Sequence, residues 1–132
     1  MEKWTFKNGP VEEVSWGRFV IFGSEHRKRS DGTAVGVGKD ICLIGNDLRP
    51  WQERQGHRLN NEMVRCVAEA DVETVIIGNG FYGALQVPAS VRHYLQSKGK
   101  KVLIEKTPEA CRLFNERFNK GEKVALLAHG TC

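Results

Sequence analysis

The chain has 132 residues, of which 40% are hydrophobic and 27% are charged, and its net charge is +4. This length encloses one hydrophobic core, so we expect a single domain over residues 1–132 in which residues 1–13 form a docked or a mobile arm. No apolar run approaches the roughly 20 residues that a bilayer-spanning helix needs, and the charged N-terminus lacks the apolar segment of a signal peptide. We therefore expect a cytoplasmic protein without a membrane partner.

The first half of the chain has the composition of β-structure. Residues 12–23 are rich in β-branched and aromatic side chains and are predicted to form one strand. Residues 24–38 contain turn formers and charges, which predicts a loop or an exposed hairpin. A second apolar strand is predicted over residues 39–45, followed by an irregular polar segment over residues 48–59. These strands are expected to add antiparallel pairing or to form a second small sheet.

The second half alternates between helical and strand patterns. Residues 60–71 read as a helix capped by Asn60 or Asn61. Thr107 is predicted to cap a further helix at 107–121. The other elements are strands at 73–78, 100–106 and 123–132 and a helix at 88–99. Alternation of this kind gives parallel strands. The sequence therefore predicts a compact three-layer α/β domain, with a mixed central sheet, a parallel βαβαβ C-terminal half and antiparallel N-terminal strands.

A G-x-G-x-x-G run, formed by Gly78, Gly80 and Gly83, follows the strand at 73–78. The spacing matches a dinucleotide-binding turn, which also needs a helix that begins inside the glycine run. Here the next helix is expected to begin near Pro88, because proline in a helix interior costs about 3 kcal/mol. We interpret the run as a strand-end loop and expect no nucleotide cofactor, and no other cofactor.

This loop and the turn after the next strand define the candidate ligand site. Carboxyl ends of parallel strands meet at one edge of a sheet, where small ligands bind, so we expect the loop at Asn79 to lie beside the turn at Thr107. Backbone amides, a lysine charge and polar side chains there suit an anion. The candidate residues are Gly78, Asn79, Gly80, Lys106, Thr107 and Asn115.

An interface candidate lies in the irregular segment, where Arg49, Trp51 and His57 occur close together. Tryptophan and arginine are favoured at protein interfaces, and loops on a rigid scaffold often carry binding groups. The alternative is that Trp51 folds over the sheet and covers the core.

The cysteines and histidines show no recognisable spacing. The four cysteines form no C-x-x-C pair and the four histidines are scattered, so we expect reduced thiols and no metal site. His129 and Cys132 suggest a thiol–histidine pair, but residues three apart in a strand point to opposite faces. We interpret the C-terminal segment as structural and expect no catalytic residue.

The basic runs at 26–29 and 98–101 could contact phosphates. No nucleic-acid recognition motif accompanies them, so we interpret them as solvated and do not expect a nucleic-acid partner.

From Val14 to Cys132 the chain resembles a known family. The resemblance rests on "SWGRFVIFG", "KDICLIG", Trp51 followed by "GHRL", "VIIGNGFYGALQVP" and "KTPEACRLFNERFNKGEKVALLAHGTC". The family contains the adipogenesis-associated domain protein and mitochondrial NADH dehydrogenase (complex I) assembly factor three. The resemblance implies a three-layer α/β fold, roles in assembly or regulation, and no established catalytic activity.

Two functions remain open from the sequence. The first is a non-enzymatic module that binds a protein partner in assembly or regulation, with self-association as a further option. The second is a small-molecule binding protein or enzyme that uses the strand-end crevice.

Overall fold

The computed structural model describes residues 2–132, which form two β-sheets and three α-helices. The first sheet, here called the meander sheet, is antiparallel with its strands in chain order. Its strands are β1 (Lys3–Thr5), β2 (Val11–Ser15), β3 (Arg18–Ile21), β4 (Ser24–Lys28) and β5 (Ala34–Val35). Residues 3–5 of the N-terminal arm thus pair with β2, with Trp4 opposite Val14.

The second sheet, the central sheet, has the strand order β7-β6-β10-β8-β9. Its strands are β6 (Asp40–Ile44), β7 (Asp47–Pro50), β8 (Thr74–Gly78), β9 (Lys101–Glu105) and β10 (Val124–His129). β8 is parallel to both β9 and β10, whereas β6 is antiparallel to β10. The helices are a 3₁₀ turn (Glu62–Val64) that continues into α1 (Arg65–Ala68), then α2 (Ala89–Ser97) and α3 (Thr107–Asn119).

The central sheet has a hydrophobic cluster on each face. Every residue of β8 and β10 is buried, as continuous apolar strands are when both sheet faces are covered. One cluster joins the sheet to α1 and α2, and the other joins it to α3 and the meander sheet. The predicted α/β class, with a mixed sheet and a parallel C-terminal half, is confirmed.

The structure corrects three local predictions. Residues 12–23 form two strands rather than one, because the chain reverses at Trp16 and Gly17, where Gly17 has a φ of 72° that favours glycine. The irregular segment begins with the strand β7. The helix expected over residues 60–71 ends at Ala68.

Two caps are resolved by the structure. Asn61 holds the cap position of the 3₁₀ turn, and the Oδ1 of the preceding Asn60 accepts a hydrogen bond from the Met63 amide at 3.1 Å. The prediction that Thr107 caps α3 is wrong, because Lys106 holds the cap position and Thr107 is the first helical residue. The Thr107 hydroxyl instead bonds to the Gly80 amide and the His129 carbonyl. Of the two alternatives for residues 24–38, a loop or an exposed hairpin, the structure shows a hairpin, in which β4 pairs with β5.

Within residues 2–132, no helix is both long enough and apolar enough to cross a membrane.

Candidate functional site

The strand-end edge of the central sheet is held together by the side chain of Thr107. Its Oγ1 donates a hydrogen bond to the His129 carbonyl at 2.7 Å and accepts one from the Gly80 amide at 3.0 Å. The Thr107 amide donates in turn to the Gly80 carbonyl at 3.1 Å. The loop after β8 and the turn before α3 therefore lie side by side, at the end of β10.

Most polar groups of this crevice bond to the protein itself, but Asn79 Oδ1 is buried and has no hydrogen-bond partner among the described residues. Thr107 is fully buried, and a side chain at Gly78 would contact its hydroxyl at 3.0 Å. The amide of Asn79 donates to the Glu105 carbonyl at 2.9 Å. The Lys106 side chain lines a separate groove described below. Anion binding by this crevice stays a prediction. A bound anion would compete with these internal hydrogen bonds for the same polar groups.

Asn115 does not lie with the other crevice residues. Its Oδ1 accepts from the Val11 amide at 3.0 Å and its Nδ2 donates to the Val11 carbonyl at 2.7 Å. Gly9 packs directly against the Asn115 side chain, with a φ of 121°. Asn115 thus fastens the start of β2 to α3.

The three interface candidates have different surroundings. Trp51 is buried in the α1/α2 cluster, and its Nε1 donates to the Met63 carbonyl at 2.8 Å. Trp51 therefore covers the core, as the alternative to an interface role predicts. Arg49 is exposed on the edge strand β7, paired with Asp47. His57 is exposed and points toward the C-terminal segment.

Residues 130–132 turn back from β10 and pack against the loop after β8. The amide of Phe81 donates to the Thr131 carbonyl at 2.7 Å. The amides of Tyr82 and Ala84 donate to the Cys132 carbonyl at 3.2 and 3.0 Å. A Cβ at Gly80 would collide with the Cys132 carbonyl group, and Gly80 has a φ of 100°. The glycine is thus required by a close approach of two backbones.

This turn forms a group of three side chains, here called the thiol–histidine cluster. Cys132 Sγ lies 3.0 Å from His57 Nε2 and 3.6 Å from His129 Nε2. The two imidazole rings meet edge-on, with centroids 5.8 Å apart. One sulfur and two nitrogens, all within 4.8 Å of one another, form a set that could hold a metal ion.

Asp40 fixes the orientation of His129 from behind. Its Oδ1 lies 2.8 Å from His129 Nδ1 and accepts a hydrogen bond from the Gly130 amide at 3.0 Å. Its Oδ2 lies 3.1 Å from both Lys39 Nζ and Arg54 Nη2. Burial raises the pKa of this carboxyl, but the bonds from His129 and Gly130, with the two cationic charges, hold it well below its ordinary value.

An ionised carboxylate only accepts hydrogen bonds, so His129 carries a proton on Nδ1. The lone pair of His129 Nε2 then faces both Thr131 Oγ1, at 3.3 Å, and Cys132 Sγ, at 3.6 Å. Sequence reasoning missed this arrangement because it treated residues 123–132 as a continuous strand. The strand ends at His129, and a side chain at Gly130 would collide with the Lys39 carbonyl. His57 is brought in by loop contacts, since its carbonyl accepts from the Gln86 amide at 2.7 Å.

A second feature lies along the same loop, on the side of β1 and α3. It is a groove of about 570 Å³, here called the aromatic groove. Its lining residues are Glu2, Trp4, Phe6, Trp16, Phe81, Tyr82, Lys106, Pro108, Glu109 and Arg112.

The aromatic rings of the groove form a connected row. Phe81 lies 5.6 Å from Trp4 and 5.8 Å from Trp16, and Trp16 lies 5.4 Å from Tyr82, measured between ring centroids. Trp16 remains 37% exposed and Tyr82 76% exposed. The turn that carries Trp16 is anchored by the Gly17 amide, which donates to the Gly130 carbonyl at 2.6 Å. Residues 130–132 thus support both the aromatic groove and the thiol–histidine cluster.

The chain is thus a small mixed α/β domain that carries the thiol–histidine cluster and the aromatic groove beside the loop after β8. Residues 11–129 match the family model described as "Protein of unknown function (DUF498/DUF598)". The chain belongs to this family.

Solved structures show the same fold at low sequence identity. The conserved hypothetical protein PH1505 from Pyrococcus horikoshii OT3 is 23% identical, with a TM-score of 0.74 over 92% of this chain and 98% of that one. A protein described as an outer membrane protein, from Bartonella henselae, is 22% identical, with a TM-score of 0.74 over 95% of this chain and 97% of that one. A protein from Bordetella parapertussis is 16% identical, with a TM-score of 0.63 over 95% of this chain and 98% of that one.

Proposed function

We propose that this protein is a non-enzymatic module that binds a protein partner through the aromatic groove. The observation that carries the proposal is the row of rings from Trp4 to Tyr82, which ends in two large side chains that remain exposed beside a 570 Å³ groove. Contiguous exposed apolar surface of this kind marks interaction sites in soluble domains.

The residue types of the groove suit a protein partner. Tryptophan and tyrosine dominate the energetics of interfaces, because they supply a large contact area and lose little conformational entropy. Trp16 and Tyr82 lie on a hairpin turn and a loop that are tied to residues 130–132 by backbone hydrogen bonds. A groove that is organised before binding loses less free energy to ordering on association.

The charges at the groove indicate which partner segment fits. Arg112 is paired with Glu109 at 2.7 Å, which leaves that side of the groove nearly neutral. Lys106 adds a positive charge at the turn before α3, and Glu2 adds a negative charge next to β1. We propose that the partner is a segment with apolar anchor side chains next to an acidic residue. The sequence resemblance to the group that includes a complex I assembly factor supports a role in assembly or regulation, and we propose a cytoplasmic location.

A random peptide-display selection on the purified protein tests this function. We expect the selected peptides to share apolar anchors beside an acidic residue. Binding by the variants Trp16→Ala and Tyr82→Ala should weaken at least tenfold, about the loss expected for interface anchors. Phe22→Ala is the matched control, since Phe22 is also an exposed aromatic residue at 49% but does not line the groove. Isothermal titration of one peptide against all four proteins gives the dissociation constants.

Two results would contradict the proposal. One is a selection that yields no peptide with measurable affinity. The other is a peptide that binds Trp16→Ala and Tyr82→Ala as tightly as the wild type. Sedimentation equilibrium distinguishes a heterologous partner from a second copy of the chain, because self-association through the groove would disappear in Trp16→Ala but persist in Phe22→Ala.

A further inference from the structure

We propose that the thiol–histidine cluster is a zinc site, in which His57 Nε2, His129 Nε2 and Cys132 Sγ are the protein ligands and one coordination position is open to solvent. This inference is independent of the aromatic groove and of any partner that the groove binds.

The distance between His129 and Cys132 fits a tetrahedral ion, whereas His57 would move away from the sulfur by about 0.5 Å to bind the same ion. Zn–N bonds of about 2.0–2.1 Å and Zn–S bonds of about 2.3 Å imply N···S separations of about 3.5 Å and N···N separations of about 3.3 Å. The observed N···S distances are 3.6 Å for His129 and 3.0 Å for His57, and all three atoms lie within 4.8 Å of one another. His57 is exposed and can adjust, whereas His129 is 2% exposed and is held in place.

The groups behind His129 complete the arrangement that metal-binding histidines have. A histidine ligand almost always donates its other ring N–H to a carboxylate or carbonyl, which fixes the tautomer and makes the ligand more basic. Asp40 occupies that position at 2.8 Å from His129 Nδ1. The Asp40 carboxylate is itself fixed by Lys39, Arg54 and the Gly130 amide. Such support is expected of a site that must present the Nε2 lone pair outward.

The donor set selects the class of metal. One thiolate with two imidazoles favours zinc and similar transition metals over magnesium and calcium, which take oxygen ligands. Three protein ligands leave a fourth position, and the exposed side of the cluster at His57 opens this position to water or to a small ligand. Three protein ligands plus a solvent molecule is the coordination of zinc sites that are open rather than closed.

A nucleophilic thiol activated by His129 is the competing interpretation of the same atoms. It gives no role to His57 Nε2, which is the nitrogen closer to the sulfur. A shared metal ion accounts for the convergence on one sulfur of two imidazoles from distant parts of the chain.

Cobalt is a spectroscopic probe of this site. The purified, fully reduced protein is titrated with Co²⁺, and the thiolate-to-cobalt charge-transfer band is recorded together with the visible bands of tetrahedral cobalt. Zn²⁺ is then added as a competitor. We expect one ion per chain, a thiolate band that Zn²⁺ removes, loss of that band in Cys132→Ser, and weakening in His57→Ala by more than the roughly 10–100-fold that an outer partner contributes.

Two variants are the matched controls. Cys66→Ser removes a thiol that lies 3.6 Å from Cys42, away from the cluster, and His93→Ala removes an exposed histidine on α2. Both should bind Co²⁺ like the wild type. His57 is exposed and Cys132 half-buried, so their variants should fold, which circular dichroism and thermal melting verify before the titration.

Several outcomes would overturn the proposal. They are a wild-type protein without a cobalt–thiolate band, a band that survives in Cys132→Ser, and a band that disappears in Cys66→Ser. A wild-type protein that binds no metal, but in which iodoacetamide alkylates Cys132 much faster than Cys66, would assign the cluster to thiol chemistry instead.

Discussion

At the scale of single residues, polar side chains here act mainly as connectors between elements. Thr107 joins the loop after β8 to the end of β10, and Asn115 joins β2 to α3. Both satisfy backbone groups in buried surroundings, where an unsatisfied donor or acceptor costs about 1–3 kcal/mol. Their burial was not foreseeable from residue type, because threonine and asparagine are more often exposed.

Replacing Thr107 by valine tests this role. Valine has nearly the same shape but leaves the Gly80 amide and the His129 carbonyl without the hydroxyl, so we expect a loss of about 1–3 kcal/mol in the free energy of unfolding. Thr107→Ser keeps the hydroxyl and should lose less. Urea denaturation followed by circular dichroism measures both. A valine variant as stable as the wild type would show that the hydroxyl does not connect these elements.

At the scale of elements, periodicity and helix-end signals predicted the C-terminal half well. The apolar runs of β8 and β10 and the prolines near the starts of α2 and α3 are local signals. The prediction failed where tertiary contacts decide the outcome. The turn at Trp16 and Gly17 interrupts a stretch of good β-formers, and α1 ends after one turn although its apolar spacing continues.

The turn after β10 is the element on which both surfaces depend, and Gly80 makes room for it. We expect Gly80→Ala to displace residues 131–132, because the new methyl group would overlap the Cys132 carbonyl. Gly99→Ala is the control, since Gly99 also has a positive φ, 81°, but has open space around it. Both variants suffer backbone strain of roughly 1–2 kcal/mol.

Alkylation of Cys132 reports the displacement. In Gly80→Ala, Cys132 should react faster with iodoacetamide than in the wild type, whereas in Gly99→Ala its rate should not change. Mass spectrometry separates Cys132 from Cys111, where burial raises the pKa of the thiol and suppresses its reaction. Equal rates in all three proteins would mean that Gly80 does not hold the C-terminal turn in place.

At the scale of the whole molecule, the sequence predicted the α/β layers but not the convergence of distant residues. His57 and Cys132 are separated by 75 positions, and no spacing rule connects them. The expected proximity of the loop at Asn79 and the turn at Thr107 needs only the parallel order of neighbouring strands. The aromatic groove combines β1, a hairpin turn, the loop after β8 and the start of α3, so it exists only when the meander sheet packs against α3.

The central claim is that the aromatic groove is the partner-binding surface, and the three tryptophan indoles report on it directly. Trp4 and Trp16 line the groove, whereas the Trp51 indole donates to the Met63 carbonyl inside the core. In a ¹⁵N-labelled protein titrated with a selected peptide, we expect the indole N–H signals of Trp4 and Trp16 to shift in proportion to occupancy while that of Trp51 stays in place. Saturating peptide that leaves the Trp4 and Trp16 signals unmoved would contradict the account.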